Sequence, residues 1–120
     1  MDAVELHGRV EEAFNRGDVD ALVALYEEDA QMVRDDGGVA VGLDAIREIW
    51  AGFVALGGRI SMTTRFAVEQ DDVALLSNTW EFNGAGLTLT ATTAEVARRR
   101  ADGMWRYAID NPFGLAQDAP

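Results

Sequence analysis

The stretch from residue 87 to residue 111 constrains this chain more than any other. Leu87 to Arg100 reads Leu-Thr-Leu-Thr-Ala-Thr-Thr-Ala-Glu-Val-Ala-Arg-Arg-Arg. It is rich in β-branched residues, has no Pro or Gly inside, and so predicts one long strand. Asp102-Gly103 supplies a turn, because Gly accepts positive φ and Asp tolerates the position before it. Met104 to Asn111 forms the returning arm, and Pro112 ends it by removing a backbone donor. A two-residue loop would pair Ala101 with Met104. Arg100 then lies opposite Trp105, Arg98 opposite Tyr107, Val96 opposite Ile109, Ala97 opposite Ala108 and Glu95 opposite Asp110.

Side chains alternate across a strand, so these pairs divide between two faces. Val96, Trp105, Tyr107 and Ile109 fall on one. Glu95 and Asp110 fall side by side on the other. Opposed carboxylates repel. A sheet keeps such a pair in water, around a cation, or with a proton held on one acid for use. If the acids face a cavity, the four apolar side chains face outward, and a homodimer through that outer sheet face would bury them. Arg98 and Arg100 would form its polar rim. A register slip of one residue would instead make the aromatics core and leave the acids in solvent.

The remaining chain is read around this hairpin. At 120 residues it predicts a single domain over 1–120, with 115–120 as a frayed tail. Ten basic residues against 21 acidic ones give a net charge of −11, which argues against sequence-independent nucleic-acid binding. No apolar run is long enough to span a membrane, so no membrane partner is expected. Without Cys no disulfide forms, and a cytoplasmic location is the default. No motif points to a cofactor. His7 is the only histidine, which excludes a metal site built on several imidazoles.

Helical periodicity predicts helices over 3–15, 19–28 and 44–55, the second capped by Asp18. His7 lies at the edge of the first apolar face and reads as a half-buried boundary residue rather than a base. Tyr26 reads as a core residue of the second helix. Ala30 to Val33 and Val39 to Val41 are short strands joined by the turn Arg34-Asp35-Asp36-Gly37-Gly38. Arg59 to Glu69 alternates as a half-buried strand. Val73 to Phe82 follows, with Leu76, Asn78 and Trp80 on one face. Asn78 is unusual in mid-strand and needs partners if buried.

Gly17 to Ala30, Gly42-Leu43-Asp44-Ala45-Ile46-Arg47, Asp102-Gly103-Met104-Trp105-Arg106 and Asp110-Asn111-Pro112-Phe113-Gly114 together resemble the NTF2-like superfamily. The resemblance is to its ketosteroid-isomerase-homologue and SnoaL-like members, over nearly the whole chain. It implies an α+β, cystatin/NTF2-like cone-shaped roll. Three N-terminal helices would pack against a strongly curved, mostly antiparallel sheet around a ligand cavity. By the same resemblance the isomerase general-base position is Arg34 and the oxyanion tyrosine position is Val10. The protonated acid of the oxyanion hole falls at Glu95. Asp110 matches the acid that epoxide-hydrolase-like members carry on the last strand.

Two functions follow as expectations. The first is an enzyme that transfers a proton at a carbonyl, or assists hydrolysis or cyclisation, on a small apolar molecule. Glu95 and Asp110 would be its acid/base pair, because two close carboxylates in an apolar cavity push one pKa up. Arg34 would hold the ionised acid or a substrate carboxylate. Trp50, Phe53, Leu76, Asn78, Trp80 and Leu89 would line the pocket. The second is a ligand-binding or dimerisation domain without chemistry, its acids neutralised by Arg34 or Arg99.

Overall fold

The computed structural model describes residues 2–114; the expected tail at 115–120 lies outside them. Helix α1 spans Glu5–Asn15, α2 Val19–Val23 and α3 Leu43–Val54. The strands are β1 Tyr26–Val33, β2 Val39–Val41, β3 Arg59–Gln70, β4 Val73–Gly84, β5 Leu87–Thr92, β6 Ala94–Arg99 and β7 Trp105–Asn111. They form one sheet in the order β2-β1-β7-β6-β4-β3, with β5 on β4. Among the described strands only β1 and β7 run parallel. This is the helix-backed, mostly antiparallel roll that the resemblance implied.

Helix α1 lies along β3 through one ridge of residues four apart. Ala3 N–H donates to Glu69, His7 meets Thr64, Glu11 accepts from Met62 N–H, and Asn15 both donates to and accepts from the Ile60 backbone. Residues four apart share a helix face. Glu11 and Asn15 also occupy backbone groups of an edge strand that would otherwise invite pairing.

The second helix is shorter than periodicity suggested. Asp18 caps it as expected, its Oδ1 accepting from Ala21 N–H at 3.0 Å. The helix stops at Val23, and residues 26–28 belong to β1. A single turn is weak on its own. Here β7 provides a better partner, Tyr107 N–H donating to the Leu25 carbonyl at 2.8 Å.

The expected long strand 87–100 is broken at Thr93, yet β5 and β6 keep one common register against β4. Ser77 Oγ donates to the Thr93 carbonyl, and Thr93 Oγ1 accepts from Asn78 N–H.

The closing hairpin departs from expectation twice. Its loop has three residues, not two: Arg100 N–H donates to the Met104 carbonyl and Gly103 N–H to the Arg100 carbonyl. Gly103 takes φ +80°. Arg99 therefore pairs with Trp105, Arg98 with Arg106 and Ala97 with Tyr107. A bulge then inserts Ala108, which restores the pairs Val96–Ile109 and Glu95–Asp110. The two slips cancel at the acids. Because a bulge reverses parity, Trp105 and Tyr107 join Glu95 and Asp110 on the buried side. The proposed outer aromatic face is thus corrected: only Val96 and Ile109 stay outside. Arg98 and Arg100 are not a free rim either, since both pair with Glu27.

The strand 59–70 is half-buried only at its start. Phe66 and Val68 are exposed, as are Leu75, opposite Val68, and Val73 on β4. Directly opposed residues form a row across the outer face: Val41, Gln31, Ile109, Val96, Leu75 and Val68. Among the described residues no helix is long and apolar enough to cross a membrane.

Candidate functional site

Between α1, α3 and the concave sheet lies a narrow cavity with an open mouth. Aromatic rings make one wall. Phe53 stands edge-on to Phe14, Trp80 and Phe82, with centroids 5.8, 5.8 and 5.1 Å away. Trp50, Val10, Ile49, Ile60, Met32 and Met62 complete the apolar lining. The C-terminal clasp closes one side. Asn111 and Gly114 exchange two hydrogen bonds, which aims the Pro112 carbonyl at Trp80 Nε1 (2.7 Å) and sets Phe113 against Trp80.

The polar groups converge from separate elements. Glu95 on β6 and Asp110 on β7 are a direct cross-strand pair, 3% and 6% exposed. Tyr26 on β1 donates its hydroxyl to Asp110 Oδ2 at 2.6 Å and accepts from Trp50 Nε1 at 3.2 Å. Asp110 Oδ1 has no hydrogen-bond partner among the described residues. Burial, and next the charge of Glu95, push the Asp110 carboxyl up to about 7; the Tyr26 hydrogen bond pulls the other way but is outweighed. Burial first, then Asp110, holds the Tyr26 hydroxyl well above its ordinary value, so it remains a donor. Tyr107 is raised in the same way, by burial and then by the charges of Glu95 and Asp110.

Glu95 is held by two side chains. Its Oε1 lies 2.7 Å from His7 Nε2, and its Oε2 lies 3.4 Å from Asn78 Nδ2. The opposite ring nitrogen of His7, Nδ1, lies 2.8 Å from Thr64 Oγ1. Asn78 lines the cavity, and its buried Oδ1 has no partner among the described residues. The amide orientation follows from Glu95: the flipped form would set an oxygen against a carboxylate. A buried acceptor left unpaired costs about 1–3 kcal/mol, which a ligand donor can recover.

The structure brings together Glu95, Asp110, Trp50, Phe53, Asn78 and Trp80 as expected. It leaves out three. Arg34 sits in the β1–β2 turn, its N–H bonded to the Gly38 carbonyl and its side chain folded over that turn. Leu76 is fully buried in the core but outside the cavity lining, and Leu89 is exposed on β5. Arg99 does not neutralise the acids; it pairs with Asp72 and stacks over Trp105 at 5.4 Å. His7, a boundary residue by its place on the helix face, is in the structure buried against Glu95. Its signal was present: it lies one turn before Val10, the position matched to a site residue, on the same helix face. Tyr26 is core as expected, and its hydroxyl also reaches the acid pair.

The model of the SnoaL-like domain family matches residues 8–109. The chain belongs to the SnoaL-like family. No curated protein matches it in sequence. Solved structures share its fold. An NTF2-like protein of unknown function from Shewanella oneidensis is 22% identical, covering 90% of this chain and 93% of that one at a TM-score of 0.79. A ketosteroid isomerase-like protein from Erwinia carotovora atroseptica is 22% identical over 90% and 89%, at 0.73. A proposed dehydratase of the NTF2-like family from Streptomyces avermitilis is 20% identical over 96% and 95%, at 0.78. At these identities the likeness speaks to the SnoaL-like fold alone.

Proposed function

We propose that the protein binds a small, mostly apolar molecule bearing a carbonyl group and moves a proton on it. Asp110 serves as the neutral acid that donates from Oδ1 to the carbonyl oxygen, and Glu95 as the base. The observation that carries this reading is the unequal acid pair. Burial and the neighbouring charge favour the proton on Asp110 up to about pH 7, while Glu95 faces the donors His7 and Asn78. A carboxyl that keeps its proton beside a second carboxylate is suited to acid and base work at neutral pH. The aromatic wall excludes water and strengthens both interactions.

The test is solvent-deuterium exchange at the carbon next to the carbonyl in a panel of small cyclic ketones and enones, followed by proton NMR. Exchange above the buffer rate is expected. Glu95→Gln and Asp110→Asn should each lower it by about 10²- to 10⁴-fold, the usual worth of a positioned proton-transfer group. Unchanged exchange in both variants overturns the acid-pair mechanism. A second reading is a ligand-binding domain without chemistry. It is favoured by the way Tyr26, His7 and Asn78 already engage both acids within the chain. Ketones that bind without exchanging would establish it.

A further inference from the structure

His7 is a buried titratable group that the acid-pair mechanism leaves unused. It does not line the cavity, and it is 4% exposed. Its ring nevertheless spans two environments. Nε2 meets the cavity acid Glu95 at 2.7 Å, and Nδ1 meets Thr64 at 2.8 Å. Thr64 belongs to the exposed part of β3. A strand bulge begins immediately after it, with Phe66 rather than Arg65 taking the next pairing position. Thr64 itself pairs with Asn78, so its side chain is on the face that holds Asn78 and Glu95.

We propose that Glu95, His7 and Thr64 form a proton relay from the cavity to solvent, through side chains that lie outside the cavity lining. This rests on the proton transfer proposed for Glu95. An imidazole carries nitrogens on opposite edges and can gain a proton at one while losing it at the other. A hydroxyl is both donor and acceptor. With Glu95 ionised and both ring nitrogens protonated, the buried couple has no net charge. When Glu95 Oε2 takes a proton from the ligand, the Nδ1 proton passes to Thr64 Oγ1, and the threonine hydroxyl proton passes to water. One proton enters and one leaves. Nε2–H still donates to Oε1, and the couple is again neutral. Reversal restores it. The arrangement avoids leaving an uncompensated charge in a buried site, which is costly. It also lets the base be reset while the mouth is filled. His7 and Thr64 are then positioning residues that act through Glu95.

The relay can be read without any substrate. His7 is the only histidine, so selective ¹⁵N-histidine labelling gives one ring to observe. The exchange of its ring N–H protons with water is measured by saturation transfer in the wild-type chain, Thr64→Val and Thr64→Ser. Because Thr64 is exposed on a strand, valine should keep the fold, which circular dichroism checks. The relay predicts that Thr64→Val slows exchange by about a hundredfold, the low end of a positioned proton-transfer group's worth. Thr64→Ser should restore it. A hydroxyl that merely shields Nδ1 predicts the opposite, because its removal would admit water. Exchange that is unchanged or faster in Thr64→Val overturns the relay. The ketone assay with Glu95→Gln judges the acid-pair reading separately, so either can fail alone.

Discussion

At the scale of single residues, Asp110 ties function to stability. Its carboxyl is raised from 3.8 to about 7 by burial and by Glu95, so the folded chain holds a proton there that the unfolded chain has released. The contribution of Asp110 is therefore fully present below about pH 4 and is lost as pH rises to about 7. At about 1.4 kcal/mol per unit the loss is on the order of a few kcal/mol. Asp110→Asn stays neutral throughout and keeps an oxygen for the Tyr26 hydroxyl. Urea unfolding between about pH 4 and about pH 8 should show wild-type stability declining over that window and the variant flatter. Parallel curves would mean that Asp110 is not protonated in the folded chain. Tyr26→Phe removes the only hydrogen bond given to Asp110 Oδ2 among the described residues, and it should lower stability by about 1 kcal/mol.

At the scale of elements, the Asn111–Gly114 clasp is where one glycine decides the site. Gly114 has φ +72°, and a Cβ there would collide with the Thr92 carbonyl. Gly114→Ala should cost about 2 kcal/mol or more and release Pro112 from Trp80 Nε1. The measurement is thermal unfolding together with a red shift of tryptophan fluorescence. Gly52→Ala is the control: it lies in α3 with open space around it, and should gain about 1 kcal/mol from helix propensity. The same scale shows what the residues disclosed in advance. Helix α3 and the strands β3 and β4 were legible because apolar spacing repeats over long segments. The Glu95–Asp110 pairing was legible because hairpin partners follow from a turn. The parity around it was not. Ala97 and Ala108 are too small to mark a face, so nothing in that stretch announces the bulge that turns Trp105 and Tyr107 inward. The end of α2 was hidden for a related reason. Residues 26–28 suit a helix locally, and only the arrival of β7, some eighty residues later, makes them strand. His7 was hidden because its partners Thr64 and Glu95 are remote in sequence and meet it only once the sheet has curled.

At the scale of the whole molecule, the outer sheet face remains to be accounted for. Its row from Val41 through Gln31, Ile109, Val96 and Leu75 to Val68 contains no charged residue, in a chain that is 26% charged. Val39 and Phe66 lie exposed at its two ends, two residues along from Val41 and Val68. Depletion of charge along this row is the composition of an interface centre rather than of wet surface. The helices pack on the opposite face and cannot cover it. We propose that a second copy does. A two-fold axis sets the same face against itself, so one uncharged row serves both partners. A highly charged foreign partner would find few groups there to pair with. The net charge of −11 opposes association at long range, and added salt should therefore tighten it. Burying these side chains at about 25 cal/mol per Å² would supply several kcal/mol toward the cost of association. Sedimentation equilibrium at micromolar concentration should return a dimer. Leu75→Asp, in mid-row and exposed on the monomer, should return a folded monomer with its circular dichroism intact. A wild-type chain that sediments as a monomer would leave the row unexplained and remove the dimer, while the cavity, which the bulge at Ala108 secures independently, would stand.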